Sequence, residues 1–375
     1  MATIAKKIEL LIRRAYLQSR MRPFQGMMVI TPQRLVLGSR PRILLLRQDR
    51  LGDVLCSTPV LQALRAHYPT AQIDMLLSRN NWELAPLVRH WCDRVWRYDK
   101  TILSFHRLRC KLQRQQYDVV VDLMDNPSTT STMFVKGLTA PMKVGVFKQN
   151  AWVYTHCVPL LDRARYHYVE RIAQLLLPFG IDPATEKLRL HFPVPPAEIQ
   201  AAAYAIGLDK HPERNRFIFI HLSSRHTTLQ WGYKRFEQLI WLLSQNFPAI
   251  PIGIGTAPHE REIAIRLAKF DNTFALPELP FLQYAAALSY ARMLISPDTA
   301  IIHAAAALNV PSVVFFHQHD PTLLPWYPYG SPYRALISRS EQGIKEIPSN
   351  AAFDAACELL NGASPLTAER IFVAT

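Results

Sequence analysis

The most regular feature of the chain is a series of short apolar runs separated by longer segments with helical periodicity. In the first half, each run has the length of a strand that is buried on both faces, as in parallel sheets. Between the first two runs, apolar residues recur at helical spacing from Leu55 to Leu64 and stop near Tyr68-Pro69. The predicted strands of this half are Arg42–Arg47, Gln72–Leu77, Asp118–Leu123 and Lys143–Val146.

The same alternation restarts after the proline-rich stretch His191–Pro196, which is typical of a domain linker. Strands are predicted at Phe217–Leu222, Ile250–Gly255, Met293–Ser296 and Ser312–Phe316. Helices are predicted at Phe236–Gln245, Glu260–Lys269, Ala300–Leu308 and Ala351–Leu360. Strands that alternate with helices predict a parallel sheet in each half. We therefore predict an α/β protein with two Rossmann-like domains, which hold a ligand in a central cleft at the carboxyl ends of the strands.

These patterns divide the chain into four predicted segments. Residues 1–40 form an N-terminal extension, 41–192 the first domain, 197–345 the second domain, and 346–375 a C-terminal helical segment. The residue pattern of the extension predicts a basic amphipathic helix. Its apolar face comprises Ile4, Ile8, Leu11, Ile12 and Ala15, and its basic residues, Lys6, Lys7, Arg13 and Arg14, lie elsewhere around the helix. Such a helix binds an anionic membrane surface or packs on its own domain or on a partner chain, and the sequence leaves both alternatives open.

Composition narrows the class of protein but not the ligand. A chain of 375 residues that is 49% hydrophobic and 19% charged is typical of a globular protein with two domains. The formal net charge of +14 favours polyanionic partners, whether nucleic acid, anionic lipid or phosphorylated substrate. Five scattered cysteines without a C-x-x-C pair indicate reduced thiols in the cytoplasm. No apolar run reaches the roughly 18–20 residues that cross a bilayer.

The first segment with candidate chemistry is Arg47–Leu55, where a predicted strand leads into a predicted helix. Gly52 permits a tight turn, and Asp53 stands at the start of the helix. A catalytic carboxylate and an ordinary acidic helix cap are both consistent with this position. The loop contains neither the glycine fingerprint of dinucleotide-binding proteins nor a P-loop, which argues against a nucleotide-cofactor oxidoreductase.

The second candidate segment is Ser296–Ala306. Here a strand leads into Asp298 and Thr299, and a helix opens behind them, so its free N–H groups form an anion site. The small side chain of Ala300 leaves this backbone accessible, and His303 lies one turn further on. An aspartate cap with a core histidine is the structural alternative.

Two further segments carry weaker signals. After the strand at Phe217, Ser224, Arg225 and Lys234 supply a hydroxyl and two cations that suit phosphate contacts, although a solvated loop is the alternative. The cluster His317–Asp320 is a weak metal pattern, and no D-x-D motif occurs in the chain. We therefore predict no metal site and no cofactor.

Taken together, these segments resemble glycosyltransferase family 9, the heptosyltransferases of lipopolysaccharide core assembly. The resemblance runs from about Arg42 to about residue 345. It rests on LGDVLCSTPVLQALRAHYPTAQIDML in the first half, on SPDTAIIHAAAALNVPSVVFF in the second, and on YDVVVDL and HYVER between them. Two specific motifs in the right order, one in each half, carry it.

The resemblance implies a GT-B fold and an inverting, metal-independent transfer of heptose from ADP-heptose to a lipopolysaccharide inner-core acceptor. By position, Asp53 becomes the general base, and the nearby helix N-terminus is expected to keep it ionised. The turn of Asp298, Thr299 and Ala300, together with His303, would hold the diphosphate. Glu260 matches a carboxylate that binds the ribose, and Leu279 falls where an apolar residue packs on adenine.

The sequence also departs from the family pattern. The usual K-x-W is Leu229-Gln230-Trp231, so a phosphate-binding lysine is absent, and Arg225 or Lys234 is the candidate replacement. D-T-G has become D-T-A, and G-P-T-x-P has become His317–Pro321. The resemblance implies an anionic, lipid-linked saccharide as acceptor, a place on the cytoplasmic face of the inner membrane, and no nucleic acid. The alternatives are another nucleotide sugar or acceptor on the same fold, or a catalytically inactive sugar- or lipid-binding protein.

Overall fold

A computed structural model of the chain describes Ala15, residues 22–362 and residues 368–372. It divides into two compact units, each with its own sheet and core. The N-terminal unit comprises Met1–Asp162 and Tyr168–Leu188, and the C-terminal unit comprises Arg163–His167 and Arg189–Thr375. Within the described residues, no helix is both long and apolar enough to cross a membrane.

The N-terminal unit is built on a seven-stranded sheet whose strands are all parallel. Its strand order is β1-β7-β6-β5-β2-β3-β4. The central strands are almost entirely apolar because helices cover the sheet. The strands are β1 (Met27–Met28), β2 (Arg42–Leu46), β3 (Gln72–Ser78), β4 (Arg94–Tyr98), β5 (Val119–Asp122), β6 (Met142–Val146) and β7 (His156–Val158).

The helices of this unit are α1 (Leu51–Cys56), α2 (Thr58–His67), α3 (Ala85–Val88), α4 (Ile102–Gln113), α5 (Thr129–Gly137) and α6 (Tyr168–Ala173). The single helix predicted after β2 is in fact two, α1 and α2, with Ser57 between them. Pro59 has no N–H to donate to the carbonyl of Leu55, and the hydroxyl of Thr58 donates to that carbonyl at 2.7 Å instead. The proline therefore causes the break.

The C-terminal unit repeats the plan with a second parallel sheet of seven strands, in the order β10-β9-β8-β11-β12-β13-β14. Trp231, Phe236 and Phe315 pack together in its core. The strands are β8 (Phe217–His221), β9 (Ile252–Gly255), β10 (Thr273–Ala275), β11 (Ala291–Pro297), β12 (Ser312–His317), β13 (Tyr333–Ser338) and β14 (Ala368–Phe372).

The helices of the C-terminal unit are α7 (Pro196–Ala205), α8 (Tyr233–Asn246), α9 (Arg261–Leu267), α10 (Phe281–Ala286), α11 (Ala300–Ala307) and α12 (Ser349–Leu360). Short 3-10 helices occur at Trp82–Leu84, Ala151–Val153, Gln174–Leu176, Pro212–Arg214, Thr227–Leu229, Pro258–Glu260, Ala287–Tyr290 and Gly343–Glu346.

The structure changes the description of both predicted terminal segments. The segment 346–375 contains α12 as expected, but it also contains β14, which pairs with β13 and extends the sheet. Part of the extension 1–40 likewise joins a sheet, because β1 pairs with β7. The amphipathic helix predicted near the N-terminus lies, apart from Ala15, outside the described residues.

Candidate active site

The loop that carries Asp53 lies at the point where the strand order of the N-terminal sheet reverses. From β2 the chain proceeds through β3 to β4 on one side, and from β5 through β6 to β7 on the other. The loops after β2 and β5 therefore diverge and leave a crevice at the carboxyl ends of these neighbouring strands. Asp53 follows β2, and Asp125 follows β5. Ligands of α/β proteins bind at such crevices.

Asp53 is partly buried in the first turn of α1, and its Oδ2 accepts a hydrogen bond from the backbone N–H of Arg50 at 3.1 Å. Burial and the charge of Asp49 raise the pKa of Asp53 to about 7, against the opposing effect of Arg47. The expectation that the helix N-terminus keeps this carboxylate ionised is therefore wrong. Burial and the charge of Asp49 raise the pKa by more than Arg47 and the hydrogen bond from Arg50 lower it. Near neutral pH, Asp53 is poised between its two protonation states, which suits a group that accepts a proton during a reaction.

Arg47, which directly follows β2 and whose charge acts on Asp53, was not selected from the sequence as a candidate site residue. It is fully buried, and its guanidinium donates to Asp49 Oδ2 at 3.0 Å and to Ser57 Oγ at 2.9 Å. Its guanidinium carbon also lies 5.5 Å from the centre of the Tyr168 ring. A charge placed at the end of an otherwise apolar strand is the signal in the sequence that could have revealed it.

Two residues of the HYVER segment, Tyr168 and Arg171, lie on α6 and contact the residues around Arg47. Arg171 lies 5.4 Å from the Tyr168 ring, so this buried ring lies near both Arg47 and Arg171. Arg171 also forms a buried ion pair with Asp125, at 2.8 Å between Nη2 and Oδ2. The loops after β2 and β5 are therefore connected through Tyr168 and the two arginines.

A second buried polar network lies at the same end of β5. Asp122 Oδ2 accepts from Lys148 Nζ at 3.0 Å and from the hydroxyl of Tyr154 at 2.6 Å. Asn150 donates to the hydroxyls of Tyr154 and Thr132, at 3.1 and 2.7 Å. Three of these four contacts join the segment 148–154 to β5 or α5, so the network fixes the loop that follows β6.

The pH dependence of activity tests the influence of Asp49 on Asp53. For Asp49→Asn we expect the acid limb of kcat/KM to move to lower pH if activity follows the ionisation of Asp53, because a negative charge that raises the pKa of Asp53 is removed. Activity lost below about pH 7 in the wild type would then persist further into acid. Asp99→Asn, which removes an exposed carboxylate paired with Arg97, is the control and should leave the profile unchanged. An unmoved limb in Asp49→Asn would contradict this electrostatic coupling.

In the C-terminal unit, the predicted donor residues follow neighbouring strands. The order reverses between β8 and β11, and the strands β10, β9, β8 and β11 are adjacent in the sheet. Leu279 follows β10, Glu260 follows β9, Ser224 follows β8 and Asp298 follows β11. All of these strands are parallel, so segments separated by up to about 75 residues along the chain meet at one sheet edge. The structure thus brings the predicted donor-binding residues to the carboxyl ends of the strands of one sheet.

Glu260 is the most constrained of these residues. Its side chain is only 15% exposed, and Oε1 accepts from the hydroxyl of Tyr233 at 2.8 Å. Its other oxygen accepts from Ser223, whose Oγ in turn accepts from the N–H of Ala257 at 2.7 Å. Ser223 belongs to the segment after β8 that was predicted to contact phosphate, whereas Tyr233 was not predicted. They hold a carboxylate in a defined position at the carboxyl ends of β8 and β9.

The start of α11 has the features of an anion site. Its N-cap, Thr299, makes no side-chain hydrogen bond to the helix, so it does not occupy the first N–H groups. His303 is 3% exposed, and its Nδ1 has no hydrogen-bond partner among the described residues. Burial lowers the pKa of His303 to about 4, so the ring is neutral at pH 7 and offers a hydrogen bond instead of a positive charge.

The remaining predicted residues are less constrained. Leu279 and Ser224 are partly buried, whereas Arg225 and Lys234 are exposed. At the position of the missing lysine, Leu229 packs against the core beside Trp231, whose indole N–H donates to the carbonyl of Ile347 at 2.8 Å. This position is therefore structural in the present chain.

The cluster at the end of β12 does not assemble a metal site. His317 Nε2 lies 2.9 Å from the backbone carbonyl oxygen of Ser340. Throughout residues 22–362 and 368–372, no group of three or more His, Cys, Asp or Glu side chains is placed to hold a metal ion.

Comparison with known proteins identifies what this arrangement resembles. The model of glycosyltransferase family 9 (heptosyltransferase) matches residues 105–353, about two thirds of the chain. Lipopolysaccharide heptosyltransferase 3 of Escherichia coli is 25% identical over 321 residues, which cover 79% of this chain and 91% of that protein. Lipopolysaccharide heptosyltransferase 1 of E. coli K12 is also 25% identical, with coverage of 81% and 98%.

Solved structures agree on the fold. A glycosyltransferase of family 9 from Veillonella parvula superposes with a TM-score of 0.71 at 18% identity, covering 86% of this chain and 97% of that one. The E. coli heptosyltransferase WaaC with ADP gives 0.67 at 20% identity, with coverage of 85% and 99%. The predicted GT-B fold, with two parallel sheets, is confirmed.

Proposed function

Because the chain belongs to glycosyltransferase family 9, the lipopolysaccharide heptosyltransferases, we propose that it transfers a heptose from ADP-heptose to an inner-core acceptor of lipopolysaccharide. We propose further that the transfer inverts the anomeric centre and needs no metal ion. The observation that carries the donor assignment is that Glu260 follows β9, while Asp298 and His303 follow β11, at the carboxyl ends of parallel strands of one sheet. WaaC has been solved with ADP and with ADP-2-deoxy-2-fluoro heptose, which supports the nature of the donor.

The diphosphate binds at the start of α11 in this proposal. The backbone N–H groups of Thr299, Ala300 and Ile301 bind the anion, so no charged side chain is needed there. The buried Nδ1 of His303 adds a neutral hydrogen-bonding group. These dipoles stabilise the negative charge that grows on the leaving ADP, as a metal ion does in other transferases. The lack of a D-x-D motif in the sequence fits this division of labour.

The nucleoside binds beside the adjacent strands. Glu260 is held by Ser223 and Tyr233 with both oxygens in place, and a carboxylate of this kind accepts hydrogen bonds from ribose hydroxyls. Leu279, partly buried after β10, offers an apolar surface for the adenine ring. Arg225 or Lys234, both exposed, supplies the cation that the family places in K-x-W.

Asp53 acts as the general base of the transfer. It takes the proton of the acceptor hydroxyl while that oxygen bonds to the anomeric carbon and the bond from this carbon to the ADP oxygen breaks. A single displacement of this kind inverts the anomeric centre. A carboxylate with a pKa of about 7 is a stronger base than an ordinary aspartate and is still about half ionised at neutral pH.

The acceptor we propose is an anionic, lipid-linked saccharide at the cytoplasmic face of the inner membrane. The net charge of +14 favours both this acceptor and the surface that carries it. Nucleic acid would satisfy the charge equally well, but no nucleic-acid motif accompanies it.

Proline at the first position of α11 tests the diphosphate site. Thr299 is extended, with φ −145° and ψ 172°, so it tolerates a following proline, and proline suits the first helical position. For Ala300→Pro we expect ADP to bind roughly tenfold more weakly, because one N–H of the anion site is lost. Calorimetric titration measures this change.

The matched control is Ile102→Pro, which places proline at the first position of α4 behind Thr101, also extended. It should leave ADP affinity unchanged, and both variants should keep their melting temperature within a few degrees. An unchanged ADP affinity in Ala300→Pro would move the diphosphate site away from α11.

A donor panel tests the proposed reaction directly. In the presence of excess EDTA, we expect transfer from ADP-heptose to a heptose-free inner-core acceptor, and no comparable transfer from UDP-, GDP- or CMP-sugars. The same nucleotides should rank identically in a thermal-shift assay, because a ligand of the native state raises the melting temperature. Loss of transfer in EDTA with recovery on adding Mg²⁺ or Mn²⁺ would contradict metal independence.

A different donor or acceptor on the same fold is the second candidate. Leu229 favours it, because a partly buried apolar residue that packs against the core occupies the position where the family has a phosphate-binding lysine. In that case another nucleotide sugar gives the fastest transfer and also the largest rise in melting temperature. Binding without transfer from any donor would indicate an inactive sugar-binding protein.

A further inference from the structure

Helix α4 of the N-terminal unit has an unusual outer face. Its inner side packs into the core through Phe105, Leu108 and Leu112. At its first turn, however, Ile102 is 81% exposed and Leu103 is 60% exposed. Exposing two adjacent aliphatic side chains to water costs free energy, so contact with an apolar partner is favourable at this place.

The rest of the outer face is basic. Arg107, Lys111 and Arg114 are exposed and follow one another at spacings of four and three residues, so they lie on one side of the helix. Between residues 100 and 117 the sequence contains no Asp or Glu. Within the part of the chain that the structure describes, none of the three cations is in an ion pair. The nearby Asp99 is already paired with Arg97, at 2.7 Å.

The exposed aliphatic pair and Asp53 both lie at the end of the sheet where the carboxyl ends of the strands are found. It follows the carboxyl end of β4, the outermost strand on that side, and Asp53 follows the carboxyl end of β2. Only β3 separates these strands, so their ends are two strand spacings, about 10 Å, apart. A surface that contacts Ile102 and Leu103 thus also approaches the edge that carries the proposed base.

We propose that the outer face of α4 binds the surface of an anionic phospholipid bilayer, with Ile102 and Leu103 inserted among the lipids and Arg107, Lys111 and Arg114 at the phosphates. The cations alone would also suit nucleic acid, but two exposed aliphatic side chains gain nothing from a phosphate backbone. Apolar insertion combined with basic side chains is the binding mode of interfacial helices. The inference rests on the proposed function for its purpose, which is to bring a lipid-linked acceptor to Asp53.

Vesicle co-sedimentation of the full chain tests the surface without any transfer reaction. With vesicles of phosphatidylglycerol and phosphatidylethanolamine, Arg107→Gln/Lys111→Gln/Arg114→Gln should bind at least tenfold more weakly at low salt. Ile102→Ser/Leu103→Ser should bind at least fivefold more weakly at low and at high salt, since salt screens only the charge contribution. The control removes the same charge from exposed positions elsewhere, by Arg89→Gln/Lys187→Gln/Lys210→Gln.

Cys110 provides a direct probe because it is exposed in the middle of this face, whereas Cys56, Cys92 and Cys157 are buried. With Cys357 replaced by Ser, an environment-sensitive fluorophore on Cys110 should shift its emission to the blue when anionic vesicles are added. Pure phosphatidylcholine vesicles should give no shift. An unshifted probe on a vesicle-bound protein would overturn the proposal, because another surface would then make the contact.

Three other results would also overturn the proposal. One is an equal loss of vesicle binding in the control variant, which would mean that total charge decides binding. Another is full vesicle binding by both α4 variants. The third is binding of single-stranded DNA that both α4 variants weaken as much as they weaken vesicle binding. Transfer to a soluble, delipidated acceptor should be unchanged in the α4 variants. If no donor supports transfer in the wild type while the vesicle results hold, the proposed function fails and the membrane surface stands.

Discussion

Asp53→Asn is expected to reduce turnover by roughly a hundredfold or more, the usual contribution of a positioned general base. Asparagine keeps the size of the side chain and an oxygen that accepts from the N–H of Arg50, so the start of α1 is preserved. It cannot take a proton from the acceptor hydroxyl. The loss should therefore appear in kcat, while ADP affinity stays within about twofold of the wild type.

The same substitution separates catalysis from helix capping. If Asp53 were only a cap, replacing it would change the melting temperature more than turnover. We expect the opposite, because a partly buried carboxylate beside Asp49 has a raised pKa and its charge is costly to keep. The melting temperature at pH 8 should be equal to or higher than that of the wild type. Near-normal turnover in Asp53→Asn would show that another group is the base.

Lys148→Met is expected to destabilise the N-terminal unit by about 3 kcal/mol, as for a broken buried ion pair. The side chains of Lys148 and Asp122 are 3% and 0% exposed, so the substitution leaves a buried carboxylate with the hydroxyl of Tyr154 as a remaining donor. Hydrogen exchange measures the effect locally. Amide protection should fall in β5 and β6 and remain unchanged in β8, which belongs to the other unit.

Two controls establish the cause of this loss. Lys269→Met breaks an exposed pair with Glu237 and should cost less than about 1 kcal/mol. Adding Asp122→Asn to Lys148→Met removes the orphaned charge and should recover part of the stability. Full stability in the single variant would mean that water or another cation satisfies Asp122.

Much of the fold could be predicted from local patterns. Continuous apolar runs such as residues 217–220 predict strands buried on both faces, and their alternation with helices predicts parallel sheets. The motifs around Asp53 and Asp298 are also local, since a strand, a turn and a helix start occupy consecutive residues. For these features the information lies within a window of about fifteen residues.

Strands without such a run were missed. In β4, at the edge of the sheet, Arg94 and Arg97 interrupt the apolar residues, and β7 and β10 have only three residues each. In β13, Arg334 interrupts the apolar run. It is tolerated there because Glu358, on α12, accepts from its Nε at 2.7 Å. A pattern along the chain cannot show a partner that is distant in sequence.

The chemistry of the candidate site depends on such partners throughout. The sequence pattern by itself selected Asp53 and His303 as candidates, and the family resemblance added Glu260. Arg47 and Asp49 are close to Asp53 along the chain, but only the tertiary structure buried Arg47, Asp53 and His303, and this burial shifts the pKa values of Asp53 and His303. Burial and charge–charge distance are properties of packed elements, so the strand order of each sheet decides them and the local sequence does not.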